Sequence, residues 1–85
     1  MSASRDEIFA TLSRLLEPFN PKGVALKPDT EIAAELNIDS VGVMDFIMEV
    51  EDTFDIDISL NVLSETHTMD DLVRVVEERL KRDKS

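Results

Sequence analysis

The chain is organised around the stretch Leu36-Asn37-Ile38-Asp39-Ser40-Val41, which leads into an acidic amphipathic segment. Asp39 is a favourable N-cap residue, because its carboxylate can accept a hydrogen bond from the free N–H groups of a first helical turn. We therefore predict a helix over about residues 39–54, with Ser40 in its first turn. A hydroxyl there lies near the positive end of the helix dipole, where an attached phosphate would be stabilised.

Apolar residues recur in this helix in steps of three and four, which is the pattern of a face packed against a core. They are Val43, Phe46, Ile47, Val50 and Phe54. Val41, Met44 and Met48 lie beside this stripe. These three side chains are either the edge of the core or, since methionine repacks easily, an adaptable contact surface for partners.

Capping signals predict the other long helices. Ser4 and Glu7 form a capping box at the start of a first helix, which Pro18 ends. Thr68 is predicted to begin the last helix, with Asp71 in the position of the box that glutamate usually takes. Each of these helices carries apolar residues at helical spacing, so each is expected to bury one face.

The remaining segments are shorter or irregular. Ser59 is predicted to cap a short helix over Leu60–Ser64. Residues 19–36 show no helical period and include a turn signal at residues 20–23, although residues 29–32 could support a short helical turn. A connection this long in a small domain is unusual and often functional.

These segments predict an all-α fold, a small antiparallel helical bundle of three main helices plus one short helix. At 85 residues the chain is expected to be a single domain, 1–85, with residues 1–3 and 82–85 frayed. No apolar run is long enough to span a bilayer, and the N-terminus does not resemble a signal peptide. The absence of cysteine fits a reducing cytosol. We expect a cytoplasmic protein that is a monomer and does not insert into membranes.

The charge distribution points to protein partners. The net charge is −10, and residues 28–73 contain 13 of the 19 acidic residues but no lysine or arginine. Such a surface argues against nucleic acid as a partner and favours proteins with basic patches. A plain acidic interaction module without a prosthetic group would share this property, and it remains an alternative.

The residues around Ser40 do not predict an enzyme or a metal site. A nucleophilic serine needs a neighbouring base, but His67 is the only histidine and no lysine or arginine lies within 12 residues of Ser40. The spacing Asp55-x-Asp57-x-Ser59 begins like a calcium loop. The required glycine and glutamate of that loop are replaced by leucine and threonine, so we expect no metal site.

Asp39-Ser40-Val41, followed by an acidic helix that ends in Glu51-Asp52-Thr53-Phe54, resembles the acyl carrier proteins. The order of the predicted helices is also similar to that family. The resemblance implies that Ser40, next to Asp39, carries a covalent 4′-phosphopantetheine arm, attached by a separate phosphopantetheinyl transferase. The protein would be a non-catalytic carrier that holds acyl groups as thioesters for fatty acid or specialised lipid synthesis.

The resemblance also implies roles for individual residues. The acidic helix would dock onto basic patches of acyl-transferring or condensing enzymes, and the acyl chain would fold back between the helices. The implied partner-binding residues are Val41, Met44, Asp45, Met48, Glu51 and Asp52. The implied acyl-pocket residues are Phe46, Ile47, Val50 and Val62.

Some positions depart from the family pattern. Asn37 stands where glycine is usual, and asparagine tolerates a left-handed backbone better than most residues. Gly42 stands where an acidic residue is often found, and a glycine in a first helical turn suggests a packing or access reason. These departures suggest a specialised carrier, and an aminoacyl cargo such as D-alanine, or a polyketide, stays open.

Overall fold

The computed structural model describes the backbone of residues 4–83 and the side chains of residues 4–81. Five helices follow one another along the chain. They are α1 Arg5–Leu16, α2 Ile32–Glu35, α3 Ser40–Phe54, α4 Leu60–Ser64 and α5 Met69–Asp83, with a 3-10 turn at Glu17–Phe19 after α1. This confirms the all-α prediction. Fraying was predicted for residues 1–3 and 82–85. Residues 1–3, 84 and 85 lie outside the described part of the chain, whereas the backbone of residues 82–83 belongs to α5.

The predicted N-caps are present. Asp39 caps α3, and the Ser59 hydroxyl accepts a hydrogen bond from the Val62 N–H at 3.3 Å. In the capping box of α1, the Ser4 hydroxyl accepts from the Glu7 N–H at 3.2 Å, and the Glu7 carboxylate accepts from the Ser4 N–H at 3.0 Å. These contacts fix where the helices begin, because each satisfies backbone donors that have no partner within the helix.

The core is formed mainly by α1, α3 and α5, whose apolar faces meet. Its buried residues are Ile8, Leu12, Leu16, Ile32, Leu36, Phe46, Ile47, Val50, Ile56, Met69, Leu72, Val73 and Val76. Phe19 packs edge-on against Phe46, with ring centroids 6.1 Å apart. The apolar stripe predicted for α3 therefore supplies three core residues, flanked by the half-buried Val43 and Phe54.

The long connection before α3 is held in place by hydrogen bonds to the start of α5. The Met69 N–H donates to the Thr30 carbonyl at 3.0 Å, and the Ile32 N–H donates to the His67 carbonyl at 3.0 Å. Thr30 is buried, and its hydroxyl accepts from the Lys27 N–H at 2.8 Å. These contacts place α2 beside α3. The weak helical signal of this region allowed a short helical turn but did not predict its position next to α3.

Two non-glycine residues have left-handed backbone conformations. Asn37 has a φ of 54°, just before α3, and Asp55 has a φ of 56°, just after it. Asparagine and aspartate tolerate this conformation better than most residues. The expectation that Asn37 preserves a turn usually made by glycine is confirmed, whereas the sequence did not single out Asp55.

The caps of α1 and α5 predict how stability depends on pH. The hydrogen bond from the Ser4 backbone lowers the pKa of Glu7, and those from the backbones of His67 and Thr68 lower the pKa of Asp71. A lowered pKa stabilises the fold above the unfolded-state pKa, and this contribution is lost as the pH falls through the folded-state pKa. We expect the melting temperature to hold or rise from about pH 7 to about pH 5 as repulsion between acids weakens, and to fall below about pH 4.

Thermal melts of Asp71→Asn test this explanation. The amide oxygen still accepts a hydrogen bond but does not titrate, so the decline below about pH 4 should be smaller than in the wild type. Asp57→Asn, at an exposed position between α3 and α4, should retain the wild-type decline. Identical declines in the wild type and in Asp71→Asn would contradict the prediction.

Candidate functional site

Ser40 is the first residue of α3 and is exposed to solvent. The carboxylate of Asp39 accepts the capping hydrogen bond from the Gly42 N–H at 2.8 Å. Since Asp39 makes this bond, the Ser40 hydroxyl is not needed as a cap. The N–H groups of Ser40 and Val41 precede the hydrogen-bond ladder of the helix and have no acceptor within it. This arrangement suits an attached anionic group.

Gly42 is required by close packing in the first turn of α3. A β-carbon at this position would lie 2.5 Å from Cγ2 of Ile38 and 3.2 Å from Oδ1 of Asp39. The first distance is shorter than any ordinary contact. The packing reason expected for this glycine is therefore Ile38, whose side chain lies over the first turn of α3.

An apolar cavity of about 250 Å³ lies between α2, α3, α4 and α5. Its walls are mainly apolar, and the polar residues among them are Glu31, Thr66 and His67. The walls are formed by Glu31, Ile32, Ala33, Ala34, Val43, Phe46, Ile47, Leu63, Thr66, His67 and Leu72. We call this space the apolar cavity. The Thr66 hydroxyl is already engaged, because it donates to the Val62 carbonyl at 2.8 Å.

The structure places the four predicted acyl-pocket residues differently. Phe46 and Ile47 line the apolar cavity. Val50 is fully buried in the core and is not among its lining residues, and Val62 lines a separate hollow beside Val75. The alanines of α2 carry no sequence signal for this position, since a four-residue helix leaves too short a pattern to assign a face.

A second opening, of about 440 Å³, lies beside Asp39 and Gly42. It is formed by the segment after α1 and by the residues that lead into α3. Its lining residues are Pro18, Phe19, Asn20, Pro21, Lys22, Val24, Glu35, Leu36, Asn37, Ile38, Asp39 and Gly42. We call this opening the loop groove. No periodic sequence signal marks it, because its two walls are separated along the chain.

The apolar residues beside the core stripe of α3 are exposed. The exposed fractions are 69% for Val41, 42% for Met44 and 61% for Met48. These exposures favour the contact surface over the core edge, most clearly for Val41 and Met48. The three residues form an apolar strip on the surface, here called the α3 strip. Leu60, at the start of α4, is also 68% exposed, although no sequence pattern marked it as a surface residue.

The predicted docking acids are not equivalent. Asp45 and Asp52 are exposed on α3. Glu51 is half-buried, and its carboxylate accepts a hydrogen bond from the Ile58 N–H at 2.7 Å. Glu51 thus fastens the segment after α3, including the left-handed turn at Asp55, onto the helix. Its role as a docking residue stays a prediction.

We expect Glu51→Ala to lower the free energy of unfolding by about 1–2 kcal/mol, because the partly buried Ile58 N–H would lose its acceptor. Glu51→Gln should lose less, since the amide oxygen can still accept. The neighbouring, exposed Asp52→Ala should change stability by less than about 0.5 kcal/mol. Chemical denaturation measures all three variants, and equal losses for Glu51→Ala and Asp52→Ala would argue against the structural role of Glu51.

Other features bear on what the site can contain. Among the described side chains, those of residues 4–81, no cluster of three or more histidine, cysteine, aspartate or glutamate residues is arranged to hold a metal ion. Within the same part of the chain, no helix is long and apolar enough to cross a membrane. His67 lies at the apolar cavity, and its backbone N–H donates to the Asp71 carboxylate at 3.1 Å.

Comparison with known protein families addresses the arrangement around Ser40. The family described as "Phosphopantetheine attachment site" matches residues 7–76, from α1 to within α5. The chain belongs to this family. Its prosthetic group is covalent 4′-phosphopantetheine, so the expected cofactor and the resemblance to acyl carrier proteins are confirmed. A phosphopantetheine attachment domain of this type is a carrier and not itself a catalyst.

A similar protein is the "Probable acyl carrier protein" of Caulobacter vibrioides (strain NA1000 / CB15N). The two sequences are 38% identical over 55 residues, which is 65% of this chain and 64% of that protein. The match thus spans slightly less than two thirds of the relative.

The residues of this phosphopantetheine attachment domain fit its prosthetic group. Ser40 offers an exposed hydroxyl, and the start of α3 offers unpaired N–H groups to a phosphate. The apolar cavity offers room for an apolar chain. The arm supplies a thiol that this chain lacks, since it contains no cysteine.

Proposed function

We propose that Ser40 carries the 4′-phosphopantetheine arm through a phosphodiester, and that the protein presents acyl thioesters to partner enzymes of fatty acid or specialised lipid synthesis. The observation that carries this proposal is the placement of Ser40. It is an exposed serine at the first turn of α3, with Asp39 taking over the cap. We place this carrier in the cytoplasm, as a monomer.

In the attachment reaction, this chain contributes an acceptor and no base. The Ser40 oxygen forms a bond to the phosphorus of the phosphopantetheine donor, coenzyme A, while the nucleotide part leaves with the electrons of the broken P–O bond. A separate transferase must remove the hydroxyl proton, because the side chains next to Ser40 are Asp39, which serves as the cap, and Val41, which is apolar.

The apolar cavity supports an acyl cargo over an aminoacyl one. Its walls include Phe46, Ile47 and Leu63, which would favour burial of methylene groups by roughly 0.8 kcal/mol each. Among the described lining residues only the exposed Glu31 could compensate a charged ammonium group, so its burial beside the apolar walls would cost hydration. The cavity therefore argues for an apolar chain as the usual cargo.

The proposal is tested by intact mass. Purified protein is incubated with coenzyme A and a broad-specificity phosphopantetheinyl transferase, and peptide fragmentation then locates the added group. We expect the mass of one phosphopantetheine arm to be added, on the peptide that contains Ser40. An unmodified protein, or an arm on another residue, would refute the proposal.

We further propose that partner enzymes dock on the α3 strip and the neighbouring acids. Asp45→Lys and Asp52→Lys should each lower kcat/KM of the transferase roughly tenfold at low ionic strength, because charge complementarity accelerates association. The effect should shrink in high salt. Glu78→Lys on α5 makes the same change in net charge at another exposed position and should have little effect. Equal effects of all three variants would indicate net charge alone and not docking.

A further inference from the structure

The short helix α4 closes one side of the apolar cavity without belonging to the core. Leu63 of α4, and Thr66 just after this helix, line the cavity, yet none of the five residues of α4 is buried. A helix in a protein is usually held in place by packing of an apolar face. The position of α4 therefore depends on how its two ends are attached.

The end that follows α4 is firmly attached. The His67 carbonyl accepts from the Ile32 N–H at 3.0 Å, and the Met69 N–H donates to the Thr30 carbonyl at 3.0 Å. Met69 is also completely buried. These contacts join the start of α5 to the segment that leads into α2, so this end of α4 has little freedom to move.

The end that precedes α4 is attached through Glu51. The backbone carbonyl of Glu51 accepts from the Ile56 N–H at 3.1 Å, and its carboxylate accepts from the Ile58 N–H at 2.7 Å. Ile56 is buried in the core, whereas Ile58 is half-buried and lies two residues before α4. Among the described contacts, the Glu51 carboxylate makes the last hydrogen bond between α3 and the chain that enters α4.

The other walls of the apolar cavity are less able to adjust. Phe46, Ile47 and Leu72 are buried core residues of α3 and α5, and displacing them would disturb the close packing of the bundle. The wall at α2 begins at Ile32, which is buried and bonded to His67. The wall at α4 is therefore the one that a longer cargo would move first.

We propose that Glu51 is a positioning residue for the acyl cargo: by holding Ile58, it keeps α4 against the apolar cavity and limits the length of chain that the cavity accepts. This inference rests on the proposed attachment at Ser40 and adds a determinant of cargo length. Without the carboxylate, the Ile58 N–H loses its acceptor, and α4 can turn outward about its fixed end at His67. Leu63 moves with the helix, which enlarges the space between α3 and α4.

Melting temperatures of the protein loaded with straight-chain acyl groups, from butyryl to tetradecanoyl, test this inference after intact mass has shown complete loading. In the wild type, the melting temperature should rise with chain length until the cavity is full, because each buried methylene group stabilises the folded state. In Glu51→Ala the rise should continue for at least two further carbon atoms. A residue that only braced the fold would lower every melting temperature without moving the length at which the rise ends.

Three further variants sharpen the test. Glu51→Gln should restore the wild-type end of the rise, since its amide oxygen can still accept from the Ile58 N–H. Glu51→Asp keeps the charge but shortens the side chain, so it should extend the rise as Glu51→Ala does, and it replaces that variant if the alanine protein does not fold. Asp57→Ala is the matched control, because it removes an exposed acid from the same connection and should leave the end of the rise unchanged.

A rise that ends at the same chain length in the wild type, Glu51→Ala and Glu51→Asp would overturn the role of Glu51 and leave attachment at Ser40 intact. An equal extension in Asp57→Ala, or a wild-type melting temperature that does not depend on chain length, would overturn it as well. A wild-type protein that gains no arm would overturn both this inference and the proposed function.

Discussion

Ser40→Ala is expected to stay at its unmodified mass under conditions in which the wild type gains one phosphopantetheine arm completely. The substitution removes the only oxygen through which we propose the phosphodiester forms. It should leave the fold unchanged, because Ser40 is exposed and the α3 cap is the carboxylate of Asp39. The free energy of unfolding should therefore change by no more than about 0.5 kcal/mol.

The matched control is Ser59→Ala, which removes another exposed serine hydroxyl at the start of a helix. Ser59 caps α4, so its loss should cost about 1 kcal/mol of stability, yet loading should be complete. Intact mass and circular dichroism measure both properties. A modified Ser40→Ala protein, or a folded Ser59→Ala protein that fails to load, would contradict the assignment of Ser40.

Gly42→Ala is expected to lower the free energy of unfolding by about 1–3 kcal/mol, the usual cost of overpacking. Helix propensity alone predicts the opposite sign, a gain of about 0.8–1 kcal/mol from replacing glycine by alanine. The reversal is expected because the new methyl group would lie 2.5 Å from Cγ2 of Ile38. This methyl belongs to a β-branched side chain and cannot move away by a rotation at the end of a long chain.

A double-mutant cycle isolates this contact. Ile38→Ala removes the obstructing methyl group, so Gly42→Ala should cost much less in that background than in the wild type. Thr53→Ala, at an exposed position of the same helix, should follow propensity and gain a few tenths of a kcal/mol. A stabilised Gly42→Ala protein would show that Ile38 yields easily and that packing does not require this glycine.

The parts of the fold that the sequence predicts well are those decided by neighbouring residues. The caps at Ser4, Asp39, Ser59 and Thr68 each act on a backbone N–H three residues later, so their pattern is visible in a short window. The left-handed turn at Asn37 was expected from the family resemblance, in which glycine usually stands at this position. These local signals were enough to place Ser40 at the start of a helix.

Features that depend on distant residues were not predictable in the same way. The position of α2 depends on hydrogen bonds from Ile32 and Met69 across the chain, and the alanines that line the apolar cavity follow from it. The hydrogen bond from the Ile58 N–H to Glu51 was not predictable either, because Ile58 lies seven residues further on, beyond the end of the helix. The loop groove joins Lys22 to Gly42 only after the connection has folded.

The hydrogen bonds that join the Thr30 region to the start of α5 also bear on the order of events during protein synthesis. α1 packs against α5, and the segment before α3 is anchored at Met69, so both lack a packing partner until α5 has left the ribosome. Contacts between distant parts of a chain form late and slow folding. The nascent carrier would therefore expose its apolar faces until α5 has been synthesised, and Ser40 should become a substrate for modification only after α5 has emerged and packed.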